Sequence, residues 1–316
     1  MLRLAANLLA SAAFVGFGLI AAAALSRIGH RWVDILAQFS APSLAAVFAM
    51  LLACLVLRLW PAALVGAGAA LLLLLAVWPQ WAPPRGRPDT HAPAVRLYSA
   101  NLWAWNQQTE AIDRSIRSAE ADMVILVELG DAPAAQLDRM LAAYPHRVST
   151  PRIDRPTGAA RTVIASRWPI VRTVEDKPDG LHAIGAVIDS PLGPLNLVAV
   201  HLTRPWPYQY QWGQITQVMA LTKLRAGLTG PVIVAGDFNS VSSARIGRQV
   251  QSQAGLIPAP GFPGTWPTRL PAFAGITIDQ VYRSPDLALI TRRLGEPTGS
   301  DHRPVITEFT RARSPR

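Results

Sequence analysis

Cysteine and lysine are almost absent from this sequence. Cys54 is its only cysteine and lies in a hydrophobic run, so the soluble part has neither disulfides nor cysteine metal sites. The only lysines are Lys177 and Lys223, so arginine carries nearly all of a formal net charge of +10. This basic balance attracts nucleic acid, anionic lipid and anionic substrates equally well. We attribute the arginine excess to composition bias, although arginine also suits bidentate phosphate contacts.

Charge is also scarce in the first 84 residues, although the whole chain has 30 basic and 20 acidic residues. The charged residues in this part are Arg3, Arg27, Arg31, Arg58 and Asp34. Residues 1–84 are therefore membrane-like in composition, and the remainder resembles a soluble domain.

Three apolar runs predict three transmembrane helices within residues 1–82. Leu4–Leu25 is an uncharged run long enough to cross a bilayer. It exceeds the apolar core of a signal peptide, about 7 to 15 residues, so we favour an anchor over a cleaved signal. The runs Ser43–Leu57 and Ala62–Trp78 follow, separated by Pro61, which breaks a helix.

Two connecting segments are also distinct. Between the first and second runs, Trp32, Leu36 and Phe39 recur at helical spacing, which fits equally a helix in the head-group region or a buried connector. Residues 83–93 contain four prolines and predict an extended linker of at most about 35 Å. A soluble domain is predicted over residues 94–311.

Apolar strand-like runs alternate with helical patterns in this domain, which predicts an α/β fold with mixed sheets packed against helices. The predicted helices include Ala132–Ala143 and Tyr208–Gly227. Polar residues recur at six strand edges, where α/β proteins gather their active sites. They are Asn101, Glu128, His201, Asp237 with Asn239, Asp279, and Asp301 with His302.

Each of these residues alone has a simple structural explanation, as a helix cap, a core histidine or a turn residue. The run Val232–Ala235 predicts a buried strand, and Gly236 would let the backbone approach a ligand. Asp237 and Asn239 would share one face of an extended segment, or form an Asx turn. The recurrence of such groups at six edges favours a functional site.

The residue types indicate metal-assisted hydrolysis of a phosphate ester or anhydride. Glu128, with Asp301 or Asn101 nearby, offers the oxygen ligands that Mg²⁺ or Mn²⁺ prefers. A histidine beside a carboxylate can activate water for attack on phosphorus. The sequence has no Gly-rich phosphate loop and no nucleophile elbow, which argues against nucleotide-dependent transfer and serine hydrolysis.

In its motifs and their order, the region from Val95 to Phe309 resembles the endonuclease/exonuclease/phosphatase superfamily. The matching motifs are Ser99-Ala100-Asn101, Val127-Glu128, Ala165-Ser166-Arg167-Trp168-Pro169-Ile170, His201-Leu202, Gly236-Asp237-Phe238-Asn239, Thr265-Trp266-Pro267, Ile278-Asp279 and Ser300-Asp301-His302. The resemblance implies a DNase I-like, four-layer sandwich of two mixed β-sheets flanked by helices. Many members carry Gly-Asn before the Ser-Arg-Pro-Ile segment, where this chain has Gly158 to Thr162.

The resemblance also implies a role for each site residue. Glu128 corresponds to the main metal ligand, with Asn101 beside it and Asp301 as a further carboxylate of the metal site. His302 corresponds to the base that activates water, held by Asp279. The remaining three correspond to groups that handle the phosphate and its leaving oxygen, namely Asp237, Asn239 and His201.

The apolar N-terminal part is similar to that of a membrane-anchored bacterial branch that includes the vancomycin and teicoplanin resistance-associated proteins. That similarity implies a multi-pass protein of the bacterial inner membrane with a periplasmic catalytic domain. The arginine distribution weakly opposes this orientation, and we follow the resemblance. The substrate expected beside a membrane is a lipid-linked phosphate or pyrophosphate. The alternatives are a tethered nuclease, a phospholipid or sphingolipid phosphodiesterase, and a catalytically silent scaffold; the sequence identifies no protein partner.

Overall fold

The computed structural model describes residues 1–150, 161–175, 181, 183–205 and 210–313. Four helices precede the α/β domain, because the first 82 residues offer long apolar runs with few charges. They are α1 (Leu2–Ser26), α2 (Arg31–Gln38), α3 (Ser40–Val56) and α4 (Trp60–Trp81). Only α1 and α4 are each long and apolar enough to cross a membrane, and α2 with α3 would count as a third span although they are bent by 55°. The described helices thus allow two or three spans.

Helices α1, α3 and α4 pack side by side, and small residues permit their close approach. At one end of this bundle, Arg3 donates a hydrogen bond to the Arg58 carbonyl at 2.7 Å. Gly66 of α4 faces Phe14 of α1, and a Cβ added there would lie 2.7 Å from the Phe14 ring. Because Arg3 lies beside Arg58, at the start of α4, the first residues of α1 are at the end of the bundle opposite to α2 and Trp81.

Two six-stranded mixed sheets form the centre of the α/β domain. The first sheet has the order β11-β12-β1-β2-β4-β3 and the second β5-β6-β7-β8-β10-β9. The strands are β1 (Val95–Asn101), β2 (Met123–Val127), β3 (His146–Ser149), β4 (Val163–Ser166), β5 (Ile170–Glu175), β6 (Ile184–Ser190), β7 (Gly193–His201), β8 (Val232–Asp237), β9 (Ile257–Pro258), β10 (Asp279–Arg283), β11 (Leu287–Leu294) and β12 (Val305–Arg311).

Helices cover the outer faces of both sheets. Leu97 and Ile233 belong to an apolar core shared by the two sheets, while Ile112 and Val218 belong to separate outer cores. The helices of this domain are α5 (Thr109–Ala119), α6 (Asp131–Ala135), α7 (Leu137–Met140), α8 (Trp212–Ala226), α9 (Arg245–Ala254) and the short 3₁₀ helix η1 (Ala272–Ala274). The four-layer sandwich expected from the resemblance is confirmed.

The structure differs from the sequence prediction at several helices and strands. The predicted helix Ala132–Ala143 is divided into α6 and α7, since its apolar contacts with the core come mainly from its second half. The strands β3, β5 and β9 were not predicted, because each lies at the edge of a sheet and is short or only partly buried. Helix α8 begins at Trp212; the predicted start at Tyr208 lies outside the described residues.

Residues 83–93 are held along the edge of the α/β domain by backbone hydrogen bonds. The Arg85 carbonyl accepts from the Leu289 amide at 2.8 Å, and the Asp89 amide donates to the Arg311 carbonyl at 2.9 Å. The Pro84 carbonyl accepts from the Arg283 guanidinium at 2.8 Å. The bundle and the domain are therefore connected by a bound segment.

Candidate active site

Strand register builds the centre of the site around Asp237. Strand β8 pairs in parallel with β7, which places His201 opposite Asp237. On its other side, β8 pairs with the antiparallel β10, which places Asp279 opposite the same residue. An imidazole and a second carboxylate thus flank Asp237, which is buried.

The other sheet contributes an amide and a carboxylate. Asn101 ends β1 beside Val127 of β2, and Glu128 follows directly. The Asn101 amide donates to Glu128 Oε1 at 2.8 Å and to Asp237 Oδ2 at 3.0 Å. Asn101 therefore joins the polar ends of the two sheets.

The backbone takes left-handed conformations at two of these strand ends. Glu128 has a φ of 51° and Asn239 a φ of 48°, which non-glycine residues adopt only where the surrounding structure imposes it. Gly236 has a φ of 140°, and a Cβ there would lie 1.9 Å from the Val200 carbonyl oxygen. The close approach predicted at this glycine is thus made to the neighbouring strand β7.

Asp237 and Asn239 form an Asx turn. Oδ1 of Asp237 accepts from the Asn239 amide at 2.7 Å, and the Asn239 side chain donates to the Leu202 carbonyl at 2.9 Å. Asn239 lies beyond the end of β8, so Asp237 and Asn239 do not share one face of an extended strand, and the Asx turn is the alternative that forms. The turn leaves Oδ2 of Asp237 directed at Asn101 and the histidines.

His302 and Asp279 form a buried pair, with His302 Nδ1 2.9 Å from Asp279 Oδ2. Burial lowers the pKa of His302, but Asp279 above all, with Asp237 and Asp301, overcomes this effect and raises it to about 10. Nε2 of His302 lies 4.0 Å from Asp237 Oδ2 and 3.9 Å from Asp301 Oδ1. In this charge environment His302 holds a proton at neutral pH.

Burial raises the pKa of Asp237 to about 6; His302 and His201 oppose this rise, and Asp279 adds to it. Negative charge at Asp237 is therefore costly unless positive charge is close by. This is the condition under which a bound cation stabilises a carboxylate cluster.

Two groups of side chains have the composition and spacing of a metal site. The ligand atoms of Glu128, His201 and Asp237 lie within 4.8 Å of one another, and so do those of Asp237, Asp279 and His302. His201 Nε2 is 3.3 Å from Glu128 Oε1. Carboxylate oxygens dominate the combined set, which fits a hard divalent cation better than zinc.

Asp301 stands apart from both groups. It is exposed, and its Oδ2 accepts from the Trp266 indole at 3.0 Å. Its link to the remaining site residues is the 3.9 Å approach to His302. The structure thus brings together seven of the eight residues predicted for the site and leaves Asp301 at the margin.

Two further residues support the site, and sequence reasoning missed one of them, Gln214. Gln214 of α8 donates to the carbonyls of Phe238 and Asn239, at 3.0 and 3.2 Å, and so supports the Asx turn. Trp266 contacts both Asp301 and the His302 ring, whose centroid is 6.5 Å from its own. The motif Thr265-Trp266-Pro267 indicated this tryptophan, whereas nothing local in the sequence indicates Gln214. Residues 158–160, which depart from the family pattern, lie outside the described residues.

Comparison with known proteins agrees with this geometry. A sequence model described as "Endonuclease/Exonuclease/phosphatase family" matches residues 97–302. No curated protein is similar enough to count as a relative.

Several solved structures share the fold. An endonuclease/exonuclease/phosphatase from Beutenbergia cavernae has a TM-score of 0.54 at 20% identity, covering 69% of this chain and 72% of its own. One from Bacteroides vulgatus has a TM-score of 0.56 at 15% identity, with 69% and 98% covered. The catalytic domain of human Nocturnin with bound sulfate has a TM-score of 0.54 at 16% identity, with 73% and 100% covered.

Proposed function

The chain belongs to the endonuclease/exonuclease/phosphatase family of metal-dependent phosphoesterases, and from this premise we propose that it is a membrane-anchored, Mg²⁺-dependent phosphohydrolase acting on a lipid-linked phosphate or pyrophosphate. The proposal includes a membrane anchor over residues 1–82, a linker over 83–93 and a catalytic domain over 94–311. It also includes an inner-membrane, periplasm-facing topology, as in the resistance-associated branch that the sequence resembles.

The observation that carries the proposal is that the apolar helices meet the catalytic domain beside the site. Ala37 of α2 lies in one apolar cluster with Ile278, the residue before Asp279. Asp34 of α2 accepts from the Arg245 amide at 2.7 Å and from the Gln211 side chain at 2.5 Å. If the bundle lies in a bilayer, the site is close to its surface, where lipid head groups are the nearest abundant phosphates.

The residues present fit a bound Mg²⁺ ion, with Glu128 and Asp237 as the carboxylates that would hold it and Asn101 orienting both. Such an ion, when bound, supplies positive charge to the phosphate oxygens and to a bound water. Asp301, at the margin of the site, remains a further candidate for this role.

The remaining side chains hold protons and orient the phosphate. Asp279 keeps the Nδ1 proton of His302 in place, which directs Nε2 of His302 into the site. Because its pKa is raised to about 10, His302 can hold a proton and donate it. It acts as a base when positive charge beside Asp237 and Asp301 offsets the effect of these carboxylates on its pKa. His201 and Asn239 are proposed to contact the phosphate and the leaving oxygen.

The test is release of phosphate from an isoprenyl pyrophosphate in mixed micelles by the purified full chain with Mg²⁺. We expect turnover that is lost in Glu128→Gln and His302→Ala. Parallel assays use plasmid DNA and a sphingomyelin vesicle. Failure with every lipid phosphate would overturn the proposal, and site-dependent nicking of DNA would replace it with a tethered nuclease.

A further inference from the structure

In helix α2, polar residues are buried against the rest of the chain and large apolar residues are exposed. Asp34 and Gln38 are buried against the rest of the chain, at 3% and 7% exposure. Trp32, Leu36 and Phe39, at helical spacing, are exposed by 49%, 38% and 38%. A helix in contact with water alone would show the opposite arrangement, so the outer face of α2 fits an apolar environment.

A loop of the catalytic domain packs, through Trp266, against the same apolar cluster as Ala37 of α2, and it also exposes apolar side chains. We call residues 262–274 the aromatic loop; its exposed apolar side chains are Phe262, Leu270 and Phe273, at 45%, 41% and 59%. Clusters of this kind on soluble proteins mark sites of interaction.

The aromatic loop is fixed to the near end of the helix bundle. The Gly261 amide donates to the Gln80 carbonyl at 2.6 Å, and the rings of Trp81 and Phe262 lie 5.0 Å apart. The segment Ala272–Ala274 of the loop contacts α3. The loop therefore lies at the level where the apolar helices end.

Exposed arginines border the apolar surface. Arg27 and Arg31 lie on the α1–α2 connection and at the start of α2, and Arg269 lies on the aromatic loop. Apolar side chains with basic residues beside them match the boundary between acyl chains and anionic head groups. This charge pattern fits a lipid surface better than a second copy of the same basic chain.

We propose that the aromatic loop of the catalytic domain inserts beside α2 into the interfacial layer of an anionic bilayer, and so fixes the site at head-group depth. This inference rests on the proposed membrane anchoring, but not on the substrate. The loop also carries Trp266, which donates to Asp301 of the site. Arg303, next to His302, binds the loop carbonyls of Thr268 at 2.9 Å and Pro267 at 3.2 Å. These hydrogen bonds connect the loop directly to the site.

The test is nitroxide accessibility in the full chain, reconstituted in vesicles of phosphatidylethanolamine and phosphatidylglycerol. The background is Cys54→Ala, and single labels are placed by Phe273→Cys on the loop, Leu9→Cys on α1 and Val171→Cys on β5. Leu9 and Val171 are exposed by 74% and 61%, so all three labels are tolerated at surface positions. Leu270→Cys replaces Phe273→Cys if that variant does not fold.

Labels at positions 273 and 9 should be more accessible to oxygen than to a water-soluble nickel complex, and the label at 171 should show the reverse. If the label at 273 were more accessible to the nickel complex while the label at 9 remained more accessible to oxygen, the loop proposal would be overturned and the membrane anchor would stand. Nickel access at 9 would instead overturn the membrane anchoring itself. Spin–spin broadening at 273 would assign the surface to a second copy and also overturn the proposal.

Discussion

The helix bundle and the active site bury opposite kinds of side chain. In the bundle, the contact of Gly66 with Phe14 is steric. At the site, Asn101 donates hydrogen bonds to Glu128 and Asp237, and each of these carboxylates has an imidazole ligand atom within 4.8 Å. The stability of the bundle therefore depends on how closely its side chains fill the available volume. The arrangement of the site depends on the charges and hydrogen-bond geometry of its side chains. Substitutions in the bundle should therefore leave the hydrolysis rate unchanged, and substitutions at the site should leave the packing of the bundle unchanged.

The largest expected effect is at the site. His302→Ala should lower kcat on the isoprenyl pyrophosphate by about 10²- to 10⁴-fold, because the proton at Nε2 is lost. His146→Ala, on the edge strand β3, is the matched control and should keep wild-type activity. Steady-state rates at saturating Mg²⁺ measure both, and a His302→Ala rate within tenfold of wild type would contradict the assignment.

The second largest effect is expected on the stability of the domain, through the buried pair of His302 and Asp279. Asp279→Asn should destabilise the domain by about 3 kcal/mol at neutral pH, since it leaves a buried imidazolium without its partner. The folded-state pKa of His302, about 10, exceeds its ordinary value of 6.5, so the pair stabilises the fold fully below pH 6.5. This contribution disappears as pH rises towards 10. Thermal unfolding of both proteins between pH 6 and 10 should show a difference in Tm that shrinks with pH; a constant difference would argue against the pair.

A smaller effect, confined to the bundle, is expected from Gly66→Ala. The added methyl would meet the Phe14 ring at 2.7 Å and should destabilise the helix packing by about 1 to 3 kcal/mol. Gly68→Ala is the control on the same helix, since nothing lies within 4 Å of a Cβ there. Unfolding of the two variants in mixed detergent micelles measures this difference, while both should hydrolyse the isoprenyl pyrophosphate at the same rate. Equal unfolding curves would show that the contact does not limit packing.

The smallest expected effect joins the two regions. Asp34→Ala removes the acceptor for the Arg245 amide at the start of α9 and should cost roughly 1 kcal/mol, as the loss of a helix cap does. Asp34→Asn keeps an acceptor oxygen and should cost less. Limited proteolysis of the α1–α2 connection should be faster in the alanine variant. If both variants are cut at the wild-type rate, Asp34 does not hold the bundle against the domain.

Much of this site was predictable because its residues follow apolar strands directly in the sequence. Asn101, Glu128, His201 and Asp237 each end or follow such a strand, and the structure brings these ends together. The roles assigned to them remain proposals. Asp301 differs from them, because it precedes the strand β12 and does not follow one; it lies at the margin, where its side chain accepts from the Trp266 indole.

Supporting contacts were less predictable. Gln214 stabilises the Asx turn from a helix in another layer, and no local pattern distinguishes it from other glutamines. The edge strands β3 and β5 gave weak signals because one side of each has no neighbouring strand. Such features depend on which elements pack together and not on the residues beside them.

Sequence patterns alone identified the apolar segments, most of the strands and the polar residues at their ends, since these follow from periodicity and side-chain type. Tertiary structure was needed to place Asp237 between His201 and Asp279, and Asn101 across the two sheets. It also decided that the aromatic loop lies beside the helix bundle. These juxtapositions join residues far apart in the chain, and they are set by strand register and layer packing, which local sequence does not encode.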